Sequence, residues 1–415
     1  LVLFTAASLW CGLTGTIEEL IVARVFQGLG ASMMTPQTMA VITRTFPADK
    51  RGQAMSLWGA VAGIAALVGP ILGGVLVDSL GWEWIFFINV PVGVVGLVLA
   101  WRLVPSLPTH PHRFDLPGVA LSALAMFLLV FGIQEGQTYD WGTIAGPISV
   151  WGLIAAGAAV LVVFVYWQTR TTGEPLVPLR LFRDRNFSLA NLAISTVGFS
   201  ITAMAFPLML WAQEVRGFSP TRAALLLVPM ALISGGLAPW VGRLTDRVHP
   251  RNLVGIGLTA FPVSLVWLSM VMSPGVAIWK VLLPIALLGI ANGFMWAPLG
   301  STATRNLPMH QAGAGAGIYN TTRQVGAVLG SAGIAALMQA RLAATMPTAP
   351  GTDAPTGASG GSHLPAALQG GFSDAMAQSL LLPAAVLVIG LVAVLCFARP
   401  AHMNDERRSP TLVAD

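Results

Sequence analysis

Few polar residues of this chain fall where placing them is costly, and two arginines lead that set. In ARVFQGLGASMMTPQ, Arg24 lies about a turn and a half inside an apolar stretch, with Gln27 one turn further along the same helical face. A cation at the centre of a membrane helix costs about 2.5–3.5 kcal/mol, and less near an interface. The pair therefore reads as a polar gate or relay, or else as an arginine snorkelling to the headgroups above a packing face. On that face Gly28 and Gly30 would admit a neighbouring helix. Arg323, in NTTRQVGAVLG, lies deeper in its stretch, with Asn320 almost one turn before it and Gln324 beside it. A charge at such depth faces a cavity or a partner, yet no Asp or Glu of this sequence falls at comparable depth. Its partner is then a group preceding Leu1, an anionic ligand, or backbone carbonyls and amide side chains.

A third constellation is GRLTDRVHPR, where Asp246, Arg247 and Arg251 sit between two apolar stretches. Such charges can make contacts to helix termini that form in one conformation and break in another, or they are a solvated turn. Membrane enzymes need His, Asp, Glu or Ser groups converging at depth, and the sequence offers no such cluster. Cys11 and Cys396 match no metal-ligand spacing and no disulfide framework. No cofactor is called for.

The elements that position these residues are membrane helices. The chain is 55% hydrophobic and 9% charged, against roughly a quarter charged in soluble domains. Apolar runs of about 20 residues recur, each long enough to span a bilayer as a helix. A β-barrel would instead need short alternating segments. The expected helices are 1–14, 19–43, 53–77, 83–103, 114–134, 147–167, 187–211, 221–242, 252–272, 279–303, 312–340 and 376–398. The segment 342–375, rich in Ala, Pro, Gly, Ser and Thr, reads as a flexible loop, and 399–415 as a polar tail.

Charge is distributed unevenly over the connections. Arg44, Lys50, Arg51, Arg102, Arg113, Arg170, Arg180, Arg183, Arg185, Arg243, Arg247, Arg251, Arg305, Arg399, Arg407 and Arg408 fall on one side; the other has Arg216, Arg222, Lys280 and Arg341. The positive-inside rule makes the basic side cytoplasmic, together with the C-terminus. Because the basic residues are scattered through short loops, the net charge of +5 reflects topology, and no nucleic-acid partner is expected.

Gly28, Thr43, Arg44, Pro47 and Gly52 recur in order as Gly289, Thr304, Arg305, Pro308 and Gly313. Two similar halves of this kind form a transporter architecture with the substrate site near the midplane. The opening LVLFTAASLWCGL reads as the later part of a helix, and the repeat implies two further helices before Leu1.

One helix looks flawed. VGPILGG, residues 68–74, puts Pro70 and several glycines into a stretch that must cross the bilayer. Pro70 has no N–H for the carbonyl of Ala66, so a bend is expected there. Gly59, Gly63, Ala66, Pro70 and Gly73 recur at helical spacing as one smooth face, expected to pack on the matching stretch 313–340.

With these residues in place, the chain resembles the major facilitator superfamily, in particular its fourteen-helix drug:proton antiporters of the EmrB/QacA type. GWEWIFFINVPVG, Gly81 to Gly93, is similar to a signature of that group. RVFQGLGAS resembles its fourth-helix motif at Arg24, Gln27, Gly28 and Gly30. VGPILGG resembles its antiporter motif at Gly69, Pro70, Gly73 and Gly74, and the stretches 114–167 resemble its two inserted helices. GRLTDRVHPR is similar to the second copy of a cytoplasmic loop motif, but His249 and Pro250 depart from the pattern.

The resemblance implies an all-α integral membrane protein of two pseudo-symmetric six-helix bundles plus two inserted helices, lacking here the first two. Residues 1–103 would form the truncated N-terminal half, 104–186 the inserted helices and linker, and 187–398 the C-terminal half. It implies export of amphipathic small molecules across the bacterial inner membrane in exchange for protons, with an embedded coupling Asp in the segment before Leu1. A dedicated exporter of one metabolite, such as an anionic one, is the alternative. Partners would be the substrate, protons and the lipid bilayer, with a periplasmic adaptor and outer-membrane channel in Gram-negative relatives. Candidate cavity residues are Gln27, Met33, Met34, Gln37, Asn292, Met295, Trp296, Asn320, Arg323 and Gln324. Methionine and aromatic walls re-pack around varied ligands, although Met33 and Met295 read equally well as lipid- or core-facing filler.

Overall fold

The computed structural model describes residues 1–47, 50–104, 115–136, 138–171, 175–245, 247–305, 307, 311–345 and 364–398. Helices dominate it. The first group comprises α1 (Val2–Leu13), α2 (Ile17–Thr45), α3 (Arg51–Leu80), α4 (Trp84–Phe87) and α5 (Asn89–Leu103). A pair follows, α6 (Leu116–Glu135) and α7 (Val150–Arg170). The second group comprises α8 (Arg185–Leu210), α9 (Pro220–Leu225), α10 (Val228–Thr245), α11 (Pro250–Val271), α12 (Ile278–Arg305), α13 (Ala312–Thr345), α14 (Ala366–Ser379) and α15 (Leu381–Leu395). Among the described residues, nine helical segments are long and apolar enough to cross a membrane. Trp101 is 86% exposed and Met270 78%, a distribution that lipid tolerates and water would not.

Helix starts follow local chemistry. The side chains of Thr16, Asp115, Ser149, Asp184 and Ser219 each accept a hydrogen bond from a backbone N–H of the first turn of α2, α6, α7, α8 and α9 respectively. His249 does the same through Nδ1, which accepts from the Arg251 N–H at 3.0 Å, and Pro250 opens α11 at a position that needs no donor. The departure at His249 and Pro250 thus builds a helix start.

Several boundaries differ from expectation. Part of the expected loop 342–375 is helical, because α13 runs to Thr345 and α14 begins at Ala366. Small, alanine-rich sequence there reads as a linker but forms helix readily when an apolar face is covered, as at Phe372, Ala375 and Met376. The last expected helix is two, α14 and α15, meeting at Leu380. Between α6 and α7 an unexpected hairpin pairs β1 (Thr143–Ala145) antiparallel with β2 (Ile148–Ser149). Its turn at Gly146 takes φ +53°, a conformation glycine adopts without strain.

The dominant core lies in the second group, where Ile194, Leu258, Phe261, Leu265, Ile285, Leu288, Tyr319 and Leu387 are buried in one cluster. α8 and α13 form its tightest seam. A Cβ on Gly326 or Gly330 would run into the backbone carbonyl of Ser195 or Phe199, and one on Gly198 into that of Arg323. Without a hydrophobic drive between helices in lipid, such backbone approach supplies the packing. Among the described residues, the first group has a cluster of Cys11, Ala23 and Phe86, with Leu20 and Ile85 against it.

Among the described residues, α3 lies on α10, α9 and α12, while α2 lies on α13, which also touches α6. This corrects the expected partner of the VGPILGG helix, which is α10 and not the stretch 313–340. α13 is already held by α8, α14 and α2. Gly74 faces α9, where a Cβ would sit 3.1 Å from Thr221 Oγ1, whereas Gly69 and Gly73 have no heavy atom within 4 Å of an added Cβ. Gly59, Gly63 and Pro70 lie within α3, and their surroundings fall outside the described residues, as does Asp246.

Asp115 ties the inserted pair together. Its Oδ1 accepts from the Gly118 N–H and from Trp167 Nε1, both at 2.9 Å, and its Oδ2 accepts from Gln168 Nε2 at 2.7 Å. Gln168 Oε1 in turn accepts from the Val177 N–H at 3.2 Å. Burial pushes the Asp115 carboxyl up, but donors from Trp167, Gly118, Gln168 and Leu176 outweigh it and hold it below its ordinary value.

Two outcomes are expected. Gly326→Leu should lower the melting temperature of the detergent-purified protein strongly, by about 1–3 kcal/mol or more of overpacking strain. Gly317→Leu, where an added Cβ meets nothing within 4 Å, should barely move it. Because the Asp115 value is lowered on folding, its contribution is complete above the ordinary carboxylate range near about 4 and is lost as pH falls through the lowered value. Hydrogen exchange at the Asp115 ends of α6 and α7 should therefore rise in that acid window, and Asp115→Asn should abolish the pH dependence.

Candidate functional site

The Arg24 constellation closes into a polar knot between α1 and α2. Arg24 Nη1 donates to Gln27 Oε1 at 2.8 Å, and Gln27 Nε2 donates to Ser8 Oγ at 2.7 Å. Cys11 Sγ is 4.0 Å from the same Gln27 oxygen, a weak thiol donation. The Arg24 guanidinium also lies over the Phe86 ring, 5.6 Å from its centroid. Gln27 and Ser8 are buried while the Arg24 residue itself is exposed, so the cation is tethered by its head to a group inside the α1–α2 pair. The two small residues divide: a Cβ on Gly30 would sit 2.7 Å from the Phe4 backbone nitrogen, and one on Gly28 meets nothing within 4 Å. Gly30 alone of the pair permits the close crossing of α1.

Ser8, Cys11 and Phe86 were not singled out from the sequence. Ser8 and Cys11 are three residues apart, the spacing of one helical face, but only the crossing of α1 and α2 reveals that this face meets Gln27.

In the second group Asn292 donates from Nδ2 to the Leu288 carbonyl at 3.0 Å, and its Oδ1 accepts from Trp296 Nε1 at 3.2 Å. Asn320 is buried and donates to the Ala316 carbonyl at 3.0 Å. Arg323 is partly buried one turn beyond fully buried Tyr319, within electrostatic reach of it. Gln324 is exposed. Met33 and Gln37 are exposed on α2, with Met34 partly buried. Met295 does not line a cavity: it is 1% exposed in the core, and its side chain is what a Cβ on Gly257 of α11 would strike, at 2.6 Å. This corrects its place among the cavity candidates. Arg247 and Arg251 are exposed at the start of α11.

The contact of α2 with α13 makes neighbours of the helix bearing Arg24, Gln27, Met33, Met34 and Gln37 and the helix bearing Asn320, Arg323 and Gln324. Two helical groups meeting along paired helices, with polar residues on the joining helices, are an arrangement known among membrane transporters. The Major Facilitator Superfamily profile matches residues 1–331, and the chain belongs to that superfamily.

Among curated proteins, the chain is 52% identical over 396 residues to "Uncharacterized MFS-type transporter Rv1250" of Mycobacterium tuberculosis, covering 94% of this chain and 67% of that protein. It is 33% identical over 346 residues to "Multidrug resistance protein Stp" of the same species, covering 83% of this chain and 63% of that protein. The chain thus spans about two thirds of the length of these relatives. Among solved structures, the proton:xylose symporter XylE superposes with a TM-score of 0.56 at 16% identity, covering 95% of this chain and 77% of that one, which shows a shared fold. The chain is accordingly a multi-pass membrane transporter of this superfamily.

Removing Gln27 should orphan the Arg24 head, and a hydrogen bond to a charged group is worth about 1.5–3 kcal/mol. Gln27→Leu should lower thermal stability by that order, and a double-mutant cycle with Arg24→Met should show the two changes to be strongly non-additive.

Proposed function

We propose that this chain is the larger part of a proton-driven exporter of small amphipathic compounds, acting from the cytoplasm or inner leaflet of a bacterial inner membrane. The observation that carries this reading is the union of the Arg24–Gln27–Ser8 knot with a first group that meets the second, among the described residues, along α2–α13 and along α3 with α10, α9 and α12. The "Multidrug resistance" name of a relative 33% identical to this chain supports the substrate class. In this reading residues 1–103 and 187–398 are the two rocking halves, and 104–186 holds the inserted helices and linker. The Arg24 knot and the basic loop with Asp246, Arg247 and Arg251 respond to the transport state. Export is exchanged for protons, and the C-terminus is cytoplasmic. Where a second membrane is present, an adaptor and an outer channel complete the route.

Arg323, inside a membrane span, favours a second reading: a dedicated exporter whose ligand carries an anionic group. Expression of the full-length gene in cells lacking their own pumps separates the two. Cationic dye efflux that stops when a protonophore collapses the gradient supports the first; no dye efflux together with export of a single anion supports the second. In either case Arg24→Ala should slow export by about tenfold or more, as expected for loss of an interaction worth at least about 1.4 kcal/mol to the cycle. The amount of protein in the membrane should stay unchanged.

A further inference from the structure

The seam between α8 and α13 is dry and tight where Gly198, Gly326 and Gly330 meet backbone, but one layer of it is polar. On α8, Phe187, Asn191, Ser195, Gly198 and Phe199 recur at helical spacing, and on α13 so do Gly315, Tyr319, Arg323, Gly326 and Gly330. The facing contacts fix the register: a Cβ on Gly315 would lie 3.7 Å from the Phe187 ring, and Gly326 abuts Ser195. Tyr319 and Asn191 therefore fall at the same level, between those two contacts. Arg323 stands one turn beyond Tyr319 on the same stripe, and a helical side chain leans towards the N-terminus, here towards Tyr319.

All three carry buried polar atoms with no hydrogen-bond partner: Asn191 Oδ1, Tyr319 Oη and Arg323 Nε. Asn191 is 3% exposed and Tyr319 2%. The orientation of the Asn191 amide is settled, because Nδ2 donates to the Phe187 carbonyl at 2.8 Å and this leaves Oδ1 as the acceptor directed elsewhere. The layer thus offers one acceptor, one hydroxyl and one cationic N–H. An anion would satisfy the two donors and oppose Oδ1; a cation would oppose Arg323. Water, with two donors and two acceptors, matches all three, and buried waters typically make about three such bonds.

We propose that Asn191, Tyr319 and Arg323 hold a buried water in the α8–α13 seam. The water accepts from Arg323 Nε–H and from the Tyr319 hydroxyl, and donates to Asn191 Oδ1. It anchors the guanidinium on the protein side without a carboxylate. The inference does not depend on what the transporter exports, and its test reads hydration, so it and the export reading can fail separately.

The test is X-ray radiolytic footprinting of the full chain in lipid nanodiscs in oxygen-18 water, where a bound water becomes a hydroxyl radical in place and oxidises the side chain it touches. Tyr319 should incorporate label at least about fivefold faster than Phe187, a ring only 1% exposed in the adjoining layer, as expected where only the former touches ordered water. In Asn191→Leu, Tyr319 labelling should fall to the Phe187 level. Equal labelling of Tyr319 and Phe187 in the unmodified protein would overturn the proposal, as transient opening of the seam would then account for both. Undiminished labelling in a folded Asn191→Leu variant would overturn it too.

Discussion

Hydrocarbon offers no hydrogen bonds, so each polar group of a spanning helix must be satisfied by the protein itself. Much of this structure follows from that constraint. Asn191, Asn292, Asn320, Thr302, Thr304 and Ser379 all return a donor to a carbonyl one turn back on their own helix. Such bonds cost nothing in tertiary organisation. Gln27 solves the problem differently, by serving Arg24 and Ser8 at once and so stitching α1 to α2. Neither solution serves Asn191 Oδ1, Tyr319 Oη or Arg323 Nε, which have no partner among the described residues.

The same constraint shapes the packing. Apolar burial gives membrane helices little reason to associate, so contact depends on fit and close backbone approach. Gly198, Gly326 and Gly330 provide it between α8 and α13, and Gly30 provides it between α1 and α2. α13 then serves two masters: it is fixed tightly to α8 within its own group and touches α2 across the divide. A helix anchored on one side and apposed on the other thus carries Arg323 where the two groups meet. The second bridge, α3 against α10, α9 and α12, puts the glycine-rich end of α3 beside α9 through Gly74 and Thr221.

At the ends of the spans the rules of water return, and side-chain caps reappear. Asp115 is both a cap for α6 and a clasp that reaches α7 and, through Gln168, the segment leading to α8. Asn186 plays a comparable part at the opposite end of the second group, donating to the Ala398 carbonyl at 3.0 Å and accepting from its N–H at 2.8 Å. These clasps are charge-assisted or bidentate, the stronger kinds of hydrogen bond.

The membrane class, the helix positions and the basic bias of one set of loops were legible in the sequence because they depend on local quantities: span length, hydropathy and charge. The caps at Asp115, Ser149, Asp184 and Ser219 lie one to three residues from the expected helix starts at 114, 147, 187 and 221, because hydropathy marks a span and not the residue that caps it. Facing residues were not legible. A glycine-rich helix is compatible with several partners, and only the assembled bundle sets α3 beside α10 and α9, leaving α13 to α8 and α2. Periodicity could not separate Met295, whose core contact is with Gly257 of another helix, from a cavity wall, nor connect Tyr319 and Asn191, which are far apart along the chain. By itself the sequence determined which segments become helices in lipid, since that follows from satisfying the backbone within each segment. Which helices touch, and hence which polar groups meet, was decided only by the tertiary structure, because between helices the free energy lies in shape and not in composition.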